Sequence, residues 1–391
     1  MTKKVFLVVI LSVFFGVIFV LFGCQNKRNK MVESSCDKFK TVIIPGTRDI
    51  NIQNDGVICD LDFIILEEKE KSYFGHVSKL RVHQERIFVL DSRHAKAVFI
   101  YTIEGKHIAT VGDQKGRGPH EFVNVSNFEI DYVNDQLLVI DDFGYKFMIY
   151  DLDGNFLKRV DSDIVPGYAA LLPNGYIVHA KASHQYRISG QSDNYIFITD
   201  DNKSIVKEGF DYDDNENMNI LVLDILRAHY DGTINFAPKF RDTIYTVSAD
   251  LITPKYAIEY GNTQIISKNR IDELGSAFDL FKLMDAGLMC FMGTHVESKD
   301  ILYLALGYWD NAIYVFYNKK TNNTIAISHS ANITKYEYEI LKILCSDDDG
   351  YLYGAFNFAN IEELVKIFPD LEKMDTTKDY NPIIFKYKVN I

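Results

Sequence analysis

The chain has 391 residues, 47% apolar and 25% charged, a globular composition that supports a sizeable core, and its 24 Tyr and 27 Phe favour strands. Its formal charge is −12, and −14 once the first 23 residues with Lys3 and Lys4 are set aside. Such a surface repels nucleic acid and other polyanions, and no long basic patch overrides it.

The chain opens with two lysines, an apolar run from Val5 to Phe22 and then "LFGC" at residues 21–24, the layout of a secretory signal. The four residues Leu21 to Cys24 resemble the lipobox of bacterial lipoproteins. The resemblance implies a signal peptide over 1–23, cleavage before Cys24, lipidation of Cys24 and membrane attachment through that lipid anchor. The competing expectation is an uncleaved anchor, because 18 apolar residues reach the lower limit for crossing a bilayer; the cysteine that ends the run favours the lipoprotein. Gln25 is not the aspartate that retains lipoproteins at the inner membrane, so an outer-membrane lipoprotein is expected. The following "QNKRNK" lacks the acidic residues that follow the cysteine in many surface-exported lipoproteins, which favours the periplasmic side over the surface. Residues 24–56 read as a lipid-anchored tether and lead-in, and 57–391 as one folded domain.

Four further cysteines, Cys36, Cys59, Cys290 and Cys345, have no metal-ligand spacing and read mostly as buried singletons, with a Cys36–Cys59 disulfide as the alternative. "CDLDFIIL" (59–66) is a leading strand. Next, "RIFVLDSRHAKAVFIYTIEGKHIATVG" (86–112) and "QLLVIDDFGYKFMIYDLDGNFLKRVD" (136–161) share one pattern: a strand ending in Asp, a polar turn, a second strand, an acidic-Gly turn and a third strand. Asp91 and Asp141 stand fifty residues apart, as do Lys96 and Lys146, and Gly105 matches Gly154 after one deletion. Weaker copies begin at Asn174, Asp231, Lys299 and Asp347, the last completed by "NPIIFKYKV". Alternation between turn signals predicts half-buried antiparallel strands. Six such units at a period of about fifty residues predict an all-β six-bladed propeller with short helical insertions, its ring closed by the leading strand. The insertions are "IDELGSAFDLFKLMDAG", which places Leu274, Phe278 and Phe281 on one helical face, and "NIEELVKIF", where Asn360 and Glu363 have capping-box spacing.

The segments "IFVLD", "GDQKGRGPHEF" (112–122), "LLVID", "YDLDGNF", "RDTIYTV" and "NPIIFKYKV" together resemble the six-bladed β-propeller lipoproteins of Gram-negative gut anaerobes, which are NHL-like. The similarity covers nearly the whole mature chain. His120 departs from the Gly-Pro-Gly-Glu-Phe/Tyr of that family's loop. The resemblance implies an architecture and a cell-envelope location; the family brings no common activity.

The loop "GDQKGRGPHEF" lacks both the P-loop and the dinucleotide glycine patterns, and no helix follows it, so it is expected to carry the chain between blades. Lys115, Arg117 and His120 project from it as candidate ligand contacts. Arg241, in "RDTIYTV", and Trp309, whose ring could stack on a sugar, complete the candidates. The acidic stretches "DLDGN" and "DDDG" fit hairpin turns and lack an EF-hand continuation. His76, His83, His94 and His107 match no metal spacing, so neither a metal nor a cofactor is expected. No nucleophile elbow or repeated Asp box is present, and no catalytic residue is named. Two functions stand: a non-enzymatic, lipid-anchored module that binds an envelope protein or glycan through loops on one face, and a carbohydrate-active hydrolase or lyase at the central channel. Convergence of carboxylates, a histidine and basic groups at the channel mouth is what would favour the second.

Overall fold

The computed structural model describes residues 29–33, 39–50, 55–163, 167–180, 194–200, 203–211, 224–307, 312–328, 334–357, 360–378 and 380–391. Six antiparallel sheets of four strands form the blades of a β-propeller, and their innermost strands neighbour one another around a central axis. These innermost strands are Lys79–His83, Val125–Asp131, Tyr168–Leu171, Leu226–Ala228, Phe291–Glu297 and Cys345–Ser346, for blades 1 to 6. The fourth, outermost strand of blade 6 is Ile58–Ile64, antiparallel to Ile383–Val389, so the expected leading strand does close the ring.

Each blade's middle strands are buried on both faces. In blade 1, Ile87 and Val89 pack toward blade 6 while Phe88 and Leu90 pack toward blade 2. In blade 2, Leu137 and Val139 face blade 1 while Leu138 and Ile140 face blade 3. Six hydrophobic clusters, one for each contact between adjacent blades, make up the core. "IFVL" and "LLVI" therefore read as unbroken apolar runs rather than as the half-buried alternation expected. Each large apolar side chain so buried contributes about 1.5–3 kcal/mol. No blade could bury both faces alone, which ties stability to the closed ring.

The fifty-residue periodicity has a structural cause. The Asp91 carboxylate accepts backbone N–H groups from Gly75, Arg93 and His94 at 2.9–3.0 Å, and Asp141 accepts them from Val123, Asn124 and Gly144 at 2.7–3.0 Å. Each aspartate, at the end of its blade's second strand, ties the connection entering the blade to the following turn. Gly105 (φ 84) and Gly154 (φ 86) make the later turn, and a Cβ at Gly105 would stand 2.3 Å from the Ile65 carbonyl oxygen.

The segment ahead of the leading strand, expected as a tether, pairs with the rim of the disc. Asn29–Lys30 runs parallel to the outer strand of blade 3, Val32–Glu33 and Lys40–Ile43 run parallel to that of blade 4, and Arg48 bridges Ile327 on blade 5. The chain thus belts blades 3, 4 and 5 before it enters blade 6. Among the described residues no helix is long and apolar enough to cross a membrane.

The two faces of the disc differ. Turns from each innermost strand to the second strand ring one face. The other carries the links between blades, residues 112–124 among them, and the turns from second to third strands. All four described α-helices lie in connections of this second face: Lys268–Asp272, Ala277–Asp285, Lys335–Glu339 and Ile361–Ile367. Ser276 caps Ala277–Asp285 and splits the first expected helix in two; Leu280 and Met284 are buried and Phe278 is exposed, so the inward stripe differs from the one expected. Asn360 caps Ile361–Ile367 through the Glu363 N–H, as its spacing suggested.

Candidate functional site

Lys79 and Arg81 are two apart on the innermost strand of blade 1 and share a face, while Leu80 and Val82 on the opposite face enter the core between blades 6 and 1. Both cations meet Glu129 of blade 2. Arg81 grips it with two bonds, Nε to Oε1 at 2.7 Å and Nη2 to Oε2 at 2.8 Å, and Lys79 Nζ stands 3.0 Å from Oε2. Asp224, just before the innermost strand of blade 4, lies 2.7 Å from Lys79 Nζ, 3.2 Å from Arg81 Nη1 and 2.8 Å from Arg227 Nη2. Arg227 Nη1 donates to the Leu344 carbonyl beside blade 6 at 2.8 Å. One network of three cations and two carboxylates therefore joins blades 1, 2, 4 and 6 across the axis. Every member is at least nine-tenths buried.

Burial opposes ionisation of Glu129 and Asp224, but Arg81, Lys79 and, for Asp224, Arg227 outweigh it and hold both carboxyls below the usual range. Burial and the charge of Arg81 push Lys79 and Arg227 downward. The Nε of Arg227 has no hydrogen-bond partner among the described residues.

The network lies at the floor of a small cleft of about 10 Å³, open at its mouth and lined by Arg81, Tyr132, Arg227, Ala228, His229, Tyr230, Val296, Glu297, Cys345 and Ser346. These residues stand toward the C-terminal ends of the innermost strands, so the cleft opens on the helix-free face. A second cluster shapes its wall. Glu297 accepts from Lys255 (2.7 Å), Asn235 (2.9 Å), Tyr256 (2.8 Å) and Lys319 (3.0 Å). Against the cost of burial, the two lysines bring the Glu297 carboxyl down to about 2. Its backbone carbonyl is shared by the His229 ring at 2.8 Å and Ser346 Oγ at 2.7 Å. Burial pushes the Cys345 thiol up to about 12 and brings fully buried His295, behind the wall, down to about 4. Carboxylates, a histidine and basic groups do converge here. Both floor carboxylates are locked as ions, the thiol is protonated at neutral pH, and the arrangement is suited to holding a polar group rather than moving a proton.

The residues singled out from sequence lie elsewhere. Lys115 donates to the carbonyls of Lys96 (2.6 Å) and Gly112 (2.5 Å). Its loop is closed by bonds between Gly116 and Phe122, Phe122 and Gln114, and Gly118 and the Glu121 carboxylate. Arg117 is exposed, and exposed His120 stands edge-on to Phe156 at 4.5 Å. Arg241 stacks over Phe210 at 5.7 Å in a connection of blade 4. Lys115, Arg117 and His120 share one loop; they and Arg241 are on the face opposite the cleft. Cys24, Trp309 and Cys36 lie outside the described residues, and Cys59, Cys290 and Cys345 are free thiols. No group of three or more metal-ligating side chains occurs among the described residues. The acidic turns bond to themselves: Asp151 accepts from Asp153 and Asn155, and Asp347 from Tyr351 and the Tyr353 hydroxyl.

Sequence reasoning missed Lys79, Arg81, Glu129, Asp224 and Arg227. The available signal was "KLRVH" and "NFEID", in which polar residues alternate with apolar ones just ahead of a recognised repeat.

The solved structures similar to the chain include a Bacteroides fragilis NCTC 9343 protein described as exported, with 18% identity, 90% of this chain and 100% of that one covered and a TM-score of 0.73. Another is a member of the DUF4221 family from Bacteroides vulgatus ATCC 8482, with 11% identity, coverage of 86% and 99%, and a TM-score of 0.50. At these identities the likeness is one of fold. No curated protein is detectably similar. The family profile described as a domain of unknown function, DUF4934, matches residues 45–388, almost the whole propeller, and the chain belongs to that family.

Proposed function

We propose that the protein is a lipid-anchored module of the cell envelope that binds a protein or glycan partner at the helix-free mouth of its channel. The anchoring part rests on the lipobox at residues 21–24, and the similar fold of an exported Bacteroides protein agrees with it. With Cys24 as the mature N-terminus, only residues 25–28 would separate the lipid from the strand on the rim of blade 3, a reach of at most about 14–18 Å. The domain division at 23/24 and 56/57, the outer-membrane address and its periplasmic side belong to the same proposal.

The observation that carries the binding role is the convergence of Arg81, Arg227, His229, Tyr230 and Ser346 on one small, open-mouthed cleft, built on charges too tightly fixed for acid–base work. The hydrolase or lyase alternative needs a carboxylic acid poised near neutral pH, and Glu129, Asp224 and Glu297 are all held well below that.

Capture from detergent-solubilised envelopes tests the binding role. Wild type is expected to retain a specific protein or glycan, Arg117→Glu on the opposite face to retain it equally, and Ser346→Glu at the cleft to lose it. Equal retention by all three removes the cleft from the account. For the anchor, fatty-acid labelling is expected for wild type and lost in Cys24→Ser; labelling of both contradicts lipidation there.

A further inference from the structure

Resting on the reading of the channel mouth as a binding surface, we propose that the cleft receives a single carboxylate group carried on an otherwise neutral, polar molecule. The network beneath it has three cations, Lys79, Arg81 and Arg227, against two carboxylates, Glu129 and Asp224. All five are at least nine-tenths buried, so the surplus positive charge is poorly hydrated. Buried charges are ordinarily neutralised by partners, and an unpaired one is costly.

Arg227 bears the imbalance most directly. Its two terminal nitrogens are committed to Asp224 and the Leu344 carbonyl, while the buried Nε–H has no partner among the described residues. Arg227 and Arg81 both line the cleft. One added carboxylate beside the Arg227 guanidinium would equalise the charges at three and three. A dianion such as phosphate or sulfate would reverse the imbalance. Burial opposes ionisation of Tyr230 at the cleft wall, and so do the nearby carboxylates of Asp231, Glu297, Asp300 and Asp348, which make its surroundings acidic. That rim disfavours polyanions and suits a ligand whose charge is confined to the inserted group. Two sources share this chemistry: a uronic-acid sugar and the C-terminal carboxylate of a peptide.

Calorimetric titration of the full mature chain with glucuronate, glucose, an N-acetylated dipeptide and sulfate, at constant ionic strength, tests the assignment. Saturable binding is expected from at least one of the two carboxylates, with a Kd on the order of 1 mM or tighter. Glucose and sulfate are expected to bind at least about tenfold more weakly. Whichever carboxylate binds names the source. Arg227→Gln is expected to weaken that binding at least about tenfold. Should this variant not fold, Ser346→Glu, at a half-buried lining position, provides the second probe, because a resident carboxylate at the cleft excludes another. Absence of saturable binding by both carboxylates, equal binding of sulfate, or unchanged affinity in the folded variants overturns the assignment. Partner capture that still depends on Ser346 would then leave the binding module standing with a different ligand class.

Discussion

The two faces of this propeller spend polar groups in opposite ways. On the helix-bearing face, the glycine-rich loop 112–122 satisfies itself: the Lys115 amine is held by two carbonyls, and Glu121 closes the turn on Gly118. On the helix-free face, the charges at the floor of the cleft are buried, out of balance by one and include a donor without a partner among the described residues. Charge and glycine content alone therefore mark loops as readily as sites. Buried polarity left unsatisfied is the more selective indicator.

The largest effect is expected at the floor of the cleft. Glu129→Gln would leave three cations against Asp224 alone, and a loss of about 3–5 kcal/mol is expected in denaturant unfolding. A loss below about 1 kcal/mol would mean that the network is much better hydrated than its burial implies. Next come two glycines of similar φ. Gly105→Ala meets the Ile65 carbonyl oxygen and is expected to cost about 2–4 kcal/mol, whereas Gly175→Ala has open space around it and is expected to cost about 1 kcal/mol from its left-handed conformation alone. Equal costs for the two would show that packing of the blade 1 turn against residue 65 contributes little.

Acid should weaken the ring through its buried histidines. Burial lowers His179 to about 3 and His295 to about 4, both from 6.5. Because the folded values lie below the unfolded one, the unfolded chain takes up protons first as pH falls. Stability is therefore expected to fall from pH 6.5 toward pH 4, by up to about 1.4 kcal/mol per pH unit for each histidine. Thermal melts over that range check the sign, and a melting temperature that rises toward pH 4 would contradict it. The smallest effect is expected on the other face. Arg117→Ala, exposed, should change stability by less than about 0.5 kcal/mol.

How much of this was legible follows from where each signal lies. The second strands of blades 1 and 2 are continuous apolar runs that end at Asp91 and Asp141, and the need to tie each blade's entry to its turn repeats those aspartates at a fixed spacing. Asn360 was legible as a cap because capping is local. The innermost strands were not legible. Lys79 and Arg81 interrupt the apolar run, and their partners, Glu129 and Asp224, come from other blades, 48 to 145 residues away. Such strands look like polar connections until the ring brings their charges together. The helical face around Phe278 was misjudged because Ser276 starts a new helix and resets which residues point inward.

The proposed function places binding at the channel mouth and not on the glycine-rich face. Parallel capture by wild type, Arg117→Glu and Ser346→Glu from one envelope preparation measures this most directly. Retention of the partner by the first two and its loss from the third is the predicted result; loss from Arg117→Glu with retention by Ser346→Glu would contradict the account.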